Sequence, residues 1–444
     1  MKKIHDDIRS IFSRAILAAH PVKTLHDILT VKNGILNISG RGPDLRYDLS
    51  RYTRIILCGA GKASASMARG IEDVLGNAVS GGIVVVKHGH TDTLSRIQLH
   101  EASHPVPDES CVSGAQKLFQ LAGDAGAEYL IIAVISGGGS SLLALPAGKI
   151  TLEDKRTATD LLLRSGASIH EMNTVRKHIS QIKGGNLARA AFPAAVLVLS
   201  ISDVVGDNPD VIASGPFTPD TTTYSEALDV IERFGLGTTM PESVLAHLKK
   251  GASGNIPETP KPGDPVFSNV QNRIIASNIV SLEAAREEAL RLGYNTIILS
   301  SAIEGDTADT AAWHAAVLHE VLASSNPLPR PCCILSGGET TVRVKGTGLG
   351  GRNMEFALHM ARHLRGTADA AAGSIGTDGT DGPTDAAGAI ADGTTVDRGN
   401  AKGLDIREYA DRNDSYNYFD ALGDLIRTGP TNTNVMDVRV LIAR

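Results

Sequence analysis

Short apolar runs alternate with amphipathic stretches along the first half of the chain. From about residue 50 to residue 235, apolar runs are mostly followed by segments whose apolar residues recur at helical spacing. This alternation predicts strands joined by crossover helices in a parallel or mixed sheet. The predicted strands are residues 54–58, 83–87, 129–136 and 195–202. The predicted helices are residues 62–75, 111–122, 152–164, 174–182 and 224–234.

The N-terminal segment has the pattern of an amphipathic helix that ends at Pro21. Asp6, Asp7 and Arg9 stand where a secretion signal needs an unbroken apolar core, so we expect no leader peptide. The apolar stripe of the predicted helix consists of Ile4, Ile8, Ile11, Ala15 and Ile16.

A second α/β series follows a stretch rich in Pro and Gly at residues 249–269. The predicted strands of this series are residues 295–300, 332–336, 342–345, 373–376 and 388–391, and its predicted helices are 282–292, 307–323 and 353–364. We therefore predict two Rossmann-like α/β lobes with mostly parallel or mixed sheets. The first lobe spans residues 1–250, a linker spans 251–270 and the second lobe spans 271–430. The strand pattern at 431–444 fits either lobe.

Composition narrows the class of protein. Hydrophobic residues make up 42% of the 444 residues, 46 residues are Gly, and only 4% are aromatic, which is typical of a glycine-rich α/β enzyme. The formal net charge of -6 gives no global attraction to nucleic acid or to an anionic membrane. The four cysteines show no C-x-x-C spacing, so we predict buried thiols, no zinc site and a cytoplasmic location. We expect a small-molecule substrate and no nucleic-acid or membrane partner.

The stretch "LCGAGKASASMARG", residues 57–70, places a glycine turn after an apolar strand. Gly59 and Gly61 match the first two glycines of a dinucleotide fingerprint, but Ser64 replaces the third. A Walker loop would need Ser or Thr after Lys62, and Ala63 stands there. What remains is a lysine at a helix N-terminus, which suits a phosphate or a carboxylate. A tight turn with a surface lysine is the simpler alternative, and Lys87 at the end of the next strand leaves NADP open.

A second glycine loop, "VISGGGSSLLALP", again follows an apolar strand. The carboxyl ends of parallel strands form the ligand-binding edge of such sheets. Glycine amides and serine hydroxyls are suitable donors to an anion, although three glycines also suit a plain turn. We predict that this loop binds substrate or phosphate through Ser136, Gly137, Gly138, Gly139 and Ser140.

A basic helix is predicted in the next segment, with Asn173 as its N-cap and Gly184 just past its end. On it, Arg176, Ser180 and Lys183 share one face. That face is either solvated or turned towards an anion, and we predict Arg176 and Lys183 as substrate or phosphate ligands.

Acidic residues follow the strand at 195–202. Asp203 stands where a catalytic base or a metal ligand is expected. Asp207 is a predicted metal ligand, while Asp207 and Asp210 also suit turns beside Gly and Pro.

The second half of the chain carries its densest motif at residues 335–361. Glu339 follows a glycine turn, and a hairpin-like glycine loop at 346–351 leads to Arg352 at the start of a helix, where arginine can bind phosphate with two donors. In "GTDGTDGPTDAAGAI", Asp378 and Asp381 are predicted ligands of the Mg²⁺ that accompanies ATP. The absence of the downstream Glu that an EF-hand requires favours Mg²⁺ over calcium, and turn formation is the alternative for these aspartates.

The order of these motifs resembles the MOFRL-type glycerate kinases, a two-domain family that includes bacterial tartrate-utilisation proteins often labelled hydroxypyruvate reductases. The resemblance covers nearly the whole chain through "GAGKAS", "HPVPD", "SGGGSSLL", "SDVVGDNPDVIASGP", "GTDGTDGPTDAAGA" and "GPTNTNV". It implies ATP- and Mg²⁺-dependent phosphorylation of D-glycerate, to 2-phosphoglycerate in most bacterial members, in a cleft between two α/β lobes. It also implies that Lys62 and Arg352 are the functional lysine and arginine.

Two other functions stay open at this point. The older family label suggests reduction of hydroxypyruvate by NAD(P)H, for which His104 before Pro105 is the nearest candidate proton donor. A sugar-acid sensor built on the same lobes would not need carboxylate-rich loops. We therefore expect a kinase in which Lys62 and Arg352 neutralise the transferred group and Asp203 or Asp378 holds Mg²⁺ or accepts the hydroxyl proton.

Overall fold

The computed structural model describes all residues from Met1 to Arg444. Contacts divide the chain into two compact units. The first unit comprises Pro21–Ser202 and Asp207–Ile275, and the second unit comprises Met1–His20, Asp203–Gly206 and Ala276–Arg444. No helix combines the length and the apolar character needed to cross a membrane.

The structure contains sixteen α-helices and fifteen strands. The helices are α1 (Lys2–Ala18), α2 (Pro21–Ile28), α3 (Ser64–Leu75), α4 (Glu109–Gly123), α5 (Gly139–Leu142), α6 (Leu152–Arg164), α7 (Ile169–His178), α8 (Asn186–Ala191), α9 (Tyr224–Arg233), α10 (Glu242–Ala252), α11 (Asn278–Arg291), α12 (Thr307–Ser324), α13 (Arg352–Leu364), α14 (Thr395–Ala401), α15 (Ile406–Asp411) and α16 (Ser415–Leu422). The strands are β1 (Leu29–Lys32), β2 (Ile35–Ile38), β3 (Leu45–Asp48), β4 (Arg54–Ala60), β5 (Val79–Lys87), β6 (Ile97–Ala102), β7 (Tyr129–Ile135), β8 (Ala195–Ile201), β9 (Val270–Ala276), β10 (Asn295–Asp306), β11 (Cys332–Thr341), β12 (Ala370–Gly376), β13 (Gly388–Asp392), β14 (Leu425–Ile426) and β15 (Asp437–Ala443).

A six-stranded sheet in the order β6-β5-β4-β7-β8-β9 organises the first unit. Strand β4 pairs in parallel with both β5 and β7, and β7 pairs in parallel with β8. The central strands are almost wholly buried, as expected when helices cover both faces of a parallel sheet. Because β4 and β7 are neighbours, the two glycine loops that follow them lie side by side. A small antiparallel sheet of β1, β2 and β3 belongs to the same unit.

The second unit has a mixed six-stranded sheet in the order β10-β11-β15-β12-β13-β14. Only β10 and β11 are parallel, and the other pairs are antiparallel. The C-terminal strand, which the sequence left unassigned, is β15 at the centre of this sheet. The strand predicted at residues 342–345 is absent, because β11 ends with its β10 partner at Thr341 and the chain beyond is irregular.

The N-terminal helix α1 packs in the second unit, which differs from the predicted lobe boundary of residues 1–250. Its apolar stripe lies in a core with residues of β15, including Val438, Val440 and Ile442. The periodicity of α1 showed that one face is buried but contained no information about the surface that covers it. Four residues of the predicted stripe, Ile4, Ile8, Ile11 and Ala15, are buried, and Phe12 is buried as well.

The predicted linker also differs from expectation. Helix α10 ends at Ala252, and the Pro-rich chain after it is irregular apart from a single 3₁₀ turn at Pro265–Phe267. This segment lies in the first unit, and strand β9 follows it as the edge strand of the first sheet. Strands β6 and β9 went unpredicted because both carry several polar residues, as edge strands commonly do.

Candidate active site

The two glycine loops of the first unit are joined by backbone hydrogen bonds. The Lys62 N–H donates to the Gly137 carbonyl at 2.9 Å, and the Ser136 N–H donates to the Ala60 carbonyl at 3.1 Å. The Ser136 hydroxyl accepts from the Ala63 N–H at 3.1 Å, just before α3. The residue is buried, with 1% of its surface exposed. Ser136 was predicted to bind substrate, but its hydroxyl is used to hold the two loops together.

The glycines of these loops permit close packing. Gly61 has φ +144°, and a Cβ there would lie 2.1 Å from the Ser136 Oγ. At Gly59 a Cβ would lie 2.0 Å from the Val134 carbonyl oxygen. Both positions therefore require glycine, because the chain at the end of β4 lies in close contact with the chain at the end of β7.

Basic side chains surround the second glycine loop. A Cβ at Gly138, where φ is +83°, would lie 2.9 Å from the His104 ring and 3.4 Å from the Lys62 Cγ, so both side chains cover this glycine. Burial, and then the charges of Lys62, Lys87 and His90, lower the pKa of His104 to about 4. Lys62 is half-buried. The surface over Gly138 is thus electropositive, and its histidine is neutral near pH 7.

Two further cations meet at Ser140. The Arg176 Nη2 donates to the Ser140 hydroxyl, and the Lys183 Nζ donates to the Ser140 carbonyl at 2.6 Å and to its hydroxyl at 3.0 Å. Arg176 and Lys183, which were predicted as ligands of an anion, thus converge on one serine of this loop. The helix predicted at residues 174–182 differs from the structure, because α7 runs from Ile169 to His178 with Ser168 as its N-cap. Asn173 is therefore not a cap, and Lys183 lies in the turn beyond the helix.

A third buried cation, Lys155 of α6, interacts with this pair. Its Nζ donates to the Ile179 carbonyl at 3.2 Å. Burial, followed by the charge of Arg176, lowers the pKa of Lys155 to about 7. Burial and the other two cations lower the pKa of Lys183 well below its usual value, and burial alone lowers the pKa of Arg176 to about 10. No carboxylate offsets these charges, so the cluster is suited to an anion.

The aspartates after β8 have separate surroundings. Asp203 is half-buried two residues beyond the strand, and Asp207 lies in the irregular chain after it with φ +54°. Asp210 accepts from the Lys177 Nζ at 2.9 Å, and Asp220 accepts from the same group at 3.4 Å. The Lys177 pairs thus anchor this loop to α7.

In the second unit, Arg352 is held by two carboxylates at the N-terminus of α13. Its Nε donates to both Asp437 oxygens, at 3.0 and 2.8 Å, and its Nη1 pairs with Glu339 Oε1 at 2.8 Å. The Asp437 side chain is fully buried, whereas the Arg352 side chain is 32% exposed. Burial opposes the charge on Arg352, but Asp437 and Glu339 outweigh this effect and raise its pKa. Arg352 is therefore a permanently charged and rigidly oriented donor.

Charges of both signs act on Glu339. Burial and then the charges of Asp437 and Asp378 raise its pKa, while Arg352 opposes the rise. Asp378 accepts from the N–H and the hydroxyl of Thr380, each at 3.1 Å, so one of its oxygens shapes a turn. Glu339 thus pairs with Arg352 and lies near enough to Asp378 for the charge of Asp378 to act on it.

Asp381 has a structural role that differs from its predicted one. Its two oxygens accept from the backbone N–H groups of Asn353 and Met354, at 3.1 and 2.8 Å, in the first turn of α13. Burial raises the pKa of Asp381 to about 7, and Asp437 adds to the rise. No group of three or more His, Cys, Asp or Glu side chains forms a metal centre. Asp381 is a helix cap, and its geometry does not suit a metal ligand.

The glycine loop before Arg352 packs against the segment at residues 412–415. A Cβ at Gly346 would lie 2.4 Å from the Arg412 carbonyl, and one at Gly350 would lie 2.3 Å from the Ser415 Oγ. The loop is not a hairpin, and its glycines allow this close contact between two stretches of backbone.

Two residues of these sites, Lys155 and Asp437, were not predicted from the sequence as binding groups. Lys155 lies on a helix predicted from periodicity, where a lysine suggests a solvated face. Asp437 begins the C-terminal strand, whose position in the sheet was unknown. The signal for Asp437 was its place in "TNTNVMDVRV", an acidic residue at the start of an otherwise apolar strand.

Family models match both halves of the chain. A domain of unknown function, DUF4147, matches residues 7–249, and the MOFRL family matches residues 332–437.

Individual relatives are similar over most of the chain. The glycerate 2-kinase of Pyrococcus horikoshii is 40% identical over 98% of this chain and 97% of its own length. A protein of Agrobacterium vitis with the provisional name hydroxypyruvate reductase is 45% identical over 88% of this chain and 87% of its own. The crystal structure of glycerate kinase from Thermotoga maritima superimposes with a TM-score of 0.88 at 37% identity and covers 100% of both chains.

Proposed function

Because the chain belongs to the family of MOFRL-type glycerate kinases and is therefore an enzyme, we propose that it phosphorylates D-glycerate with ATP and Mg²⁺. We propose 2-phosphoglycerate as the product, in keeping with the name of the Pyrococcus horikoshii relative. The reaction transfers the γ-phosphoryl group of ATP to the 2-hydroxyl of glycerate and releases ADP and the hydroxyl proton.

The observation that carries this proposal is the pairing of Arg352 with Glu339 and Asp437. A phosphoryl transfer needs charge neutralisation and orientation more than covalent chemistry from the protein. Two nitrogens of Arg352, Nε and Nη1, make three contacts with Asp437 and Glu339 and fix the guanidinium plane. The side chain is 32% exposed, which leaves it accessible. A rigid, fully charged arginine suits the charge that develops on a phosphoryl group.

Lys62 supplies the second cation in the proposal. It lies at the N-terminus of α3 and over Gly138, beside a neutral His104. We assign it to neutralise phosphate charge during transfer. The Ser140 region, with Arg176 and Lys183, holds an anionic group of a substrate.

The neighbouring carboxylates Glu339 and Asp378 fit Mg²⁺, since this ion is commonly held by one or two carboxylates together with water and substrate phosphates. Their mutual repulsion, which contributes to the raised pKa of Glu339, would be relieved by a cation. When bound, Mg²⁺ would shield phosphate charge. Asp381 does not belong to this set. Asp207 remains a predicted ligand, and Asp203 remains the proposed acceptor of the hydroxyl proton.

Hydroxypyruvate reduction is less well supported by the residues. His104 is the nearest candidate proton donor, but its pKa of about 4 leaves it neutral at the pH where a reductase would need a protonated imidazole.

A paired assay tests the proposal. Purified protein with D-glycerate, ATP and Mg²⁺ is followed by ADP release, and the same protein with hydroxypyruvate is followed by NADPH oxidation. We expect ADP release that depends on D-glycerate and no NADPH oxidation. Oxidation of NADPH without ADP release would reject the kinase and establish the reductase.

A further inference from the structure

Lys155, Arg176 and Lys183 form a cluster of basic side chains without an acidic partner. Lys155 and Lys183 are 6% and 1% exposed, and the protein groups that accept from the three side chains are neutral. Like charges in a poorly solvated place repel one another strongly. A fold that keeps such a cluster gains most when an anion binds to it.

The cluster is held in place by a network of neutral side chains. The Arg176 Nη1 donates to Asn173 Oδ1 at 3.3 Å, and the Ser214 hydroxyl donates to the same oxygen at 3.0 Å. The hydroxyls of Ser214 and Ser140 are 2.9 Å apart. Arg176 is half-buried, whereas both lysines are buried, so we assign the contact with a ligand to Arg176. The site is therefore built before any ligand arrives.

We propose that Arg176, with Ser140 and Lys183 beneath it, is the specificity site for the carboxylate of the acceptor substrate. The inference rests on the proposed function, because it names the part of D-glycerate that this site recognises. Arg176 contacts the carboxylate, and Lys183 acts as a positioning residue through Ser140.

A single negative charge fits this cluster better than a polyphosphate does. Burial keeps the pKa values of both lysines low, so Arg176 is the one permanent charge that faces an incoming ligand. A planar guanidinium pairs with the two oxygens of a carboxylate in a fork geometry. The nucleotide phosphates, with several charges, are assigned to the other cations of the proposal.

The test compares Arg176→Gln, Arg176→Lys and the control Arg164→Gln. Arg164 is a surface arginine of α6, paired with Asp160 and 78% exposed. For each protein the KM for D-glycerate, the KM for ATP and kcat are measured. Binding of D-glycerate and of uncharged D-glyceramide is measured separately by calorimetry, and circular dichroism verifies the fold.

We expect Arg176→Gln to raise the KM and the Kd for D-glycerate by about 10- to 100-fold, the range for a hydrogen bond to a charged group. The KM for ATP should change by less than about 3-fold, and Arg176→Lys should recover part of the affinity. The preference for D-glycerate over D-glyceramide should shrink in Arg176→Gln and remain in Arg164→Gln. If Arg176→Gln misfolds, the comparison uses Arg176→Lys. This variant should still raise the KM for D-glycerate and leave the KM for ATP nearly unchanged.

The other outcomes separate this inference from the proposed function. An active wild type whose Arg176 variants keep the KM for D-glycerate, or change only the KM for ATP, would overturn the carboxylate site and leave the kinase intact. A wild type that binds D-glycerate through Arg176 without phosphorylating it would reject the kinase and support the site. A protein that neither binds nor phosphorylates D-glycerate would overturn both.

Discussion

Arg352 and Lys62 are both proposed to neutralise phosphate charge, but their surroundings differ. Arg352 is fixed by Asp437 and Glu339, whereas Lys62 lies along the backbone of a glycine loop. Replacing either residue by Ala should lower kcat by about 10³-fold or more, the range for an arginine that stabilises phosphoryl transfer. Steady-state kinetics of ADP release gives the measurement, and near-wild-type kcat in either variant would refute its assignment.

The two variants should differ in stability. Arg352→Ala leaves the buried Asp437 with fewer partners, so its thermal midpoint should fall, while that of Lys62→Ala should stay close to the wild type. Equal midpoints would show that the Arg352 pairs contribute little to folding.

The buried Lys155 should make the stability of the fold depend on pH. Its pKa in the folded protein is about 7, below the value of about 10.4 for a free lysine, so between these values the unfolded state binds more protons. The lysine therefore destabilises the fold below pH 7, and this penalty is relieved as pH rises towards 10. Lys155→Met should be more stable than the wild type near pH 7. The Ile179 carbonyl still accepts from the Ala147 N–H in the variant.

The measurement is urea unfolding of both proteins from pH 7 to pH 9.5. The advantage of Lys155→Met should shrink by up to ~1.4 kcal/mol per pH unit as pH rises. A pH-independent difference would mean that Lys155 has an ordinary pKa.

Candidate binding residues could be identified from the sequence, but the contacts that each of them makes could not. Lys62, Arg176 and Lys183 were selected as cations that bind an anion, and the last two do meet at Ser140. Ser136 was predicted as a donor to substrate or phosphate. Its hydroxyl instead joins the two glycine loops, because β4 and β7 are adjacent. Which strands are neighbours depends on pairing between distant parts of the chain, and a local motif contains no information about it.

At the scale of elements, the capping of α13 decides where Arg352 points. Asp381 accepts from two backbone N–H groups in the first turn of this helix. Asp381→Ala should destabilise the protein by about 0.5–2 kcal/mol through loss of the cap. It should also lower kcat, because Arg352 precedes the capped residues. Urea unfolding and kinetics together give the measurement.

Asp385→Ala is the matched control on the same loop. The Asp385 side chain is 64% exposed and pairs with Arg427 at the surface, so its loss should cost less than about 0.5 kcal/mol. If the two variants were equally stable, the cap assigned to Asp381 would be wrong.

Helices and buried strands were largely predictable from periodicity, and the exceptions have physical causes. The helix predicted at 174–182 begins earlier in the structure because Ser168 and Glu171 form a capping box. The strand predicted at 342–345 has the alternating pattern "VRVK", but Val344 is 76% exposed and no neighbouring strand continues to that point. Alternation alone does not make a strand without a partner.

At the scale of the whole molecule, the prediction of two α/β units with parallel or mixed sheets is confirmed. Both chain ends belong to the second unit, through α1 and β15. The sequence showed that each end carries a buried face but not which sheet it completes. Family resemblance supplied the function class, which periodicity could not.

Proton-coupled ³¹P NMR of a complete reaction tests the central claim most directly. Wild-type protein is incubated with D-glycerate, ATP and Mg²⁺ until ADP accumulates, and the new phosphate ester is examined. The account predicts a doublet, because phosphate on the 2-hydroxyl couples to one carbon-bound proton. A triplet, from phosphate on the 3-hydroxyl with two such protons, or the absence of any new ester signal, would contradict it.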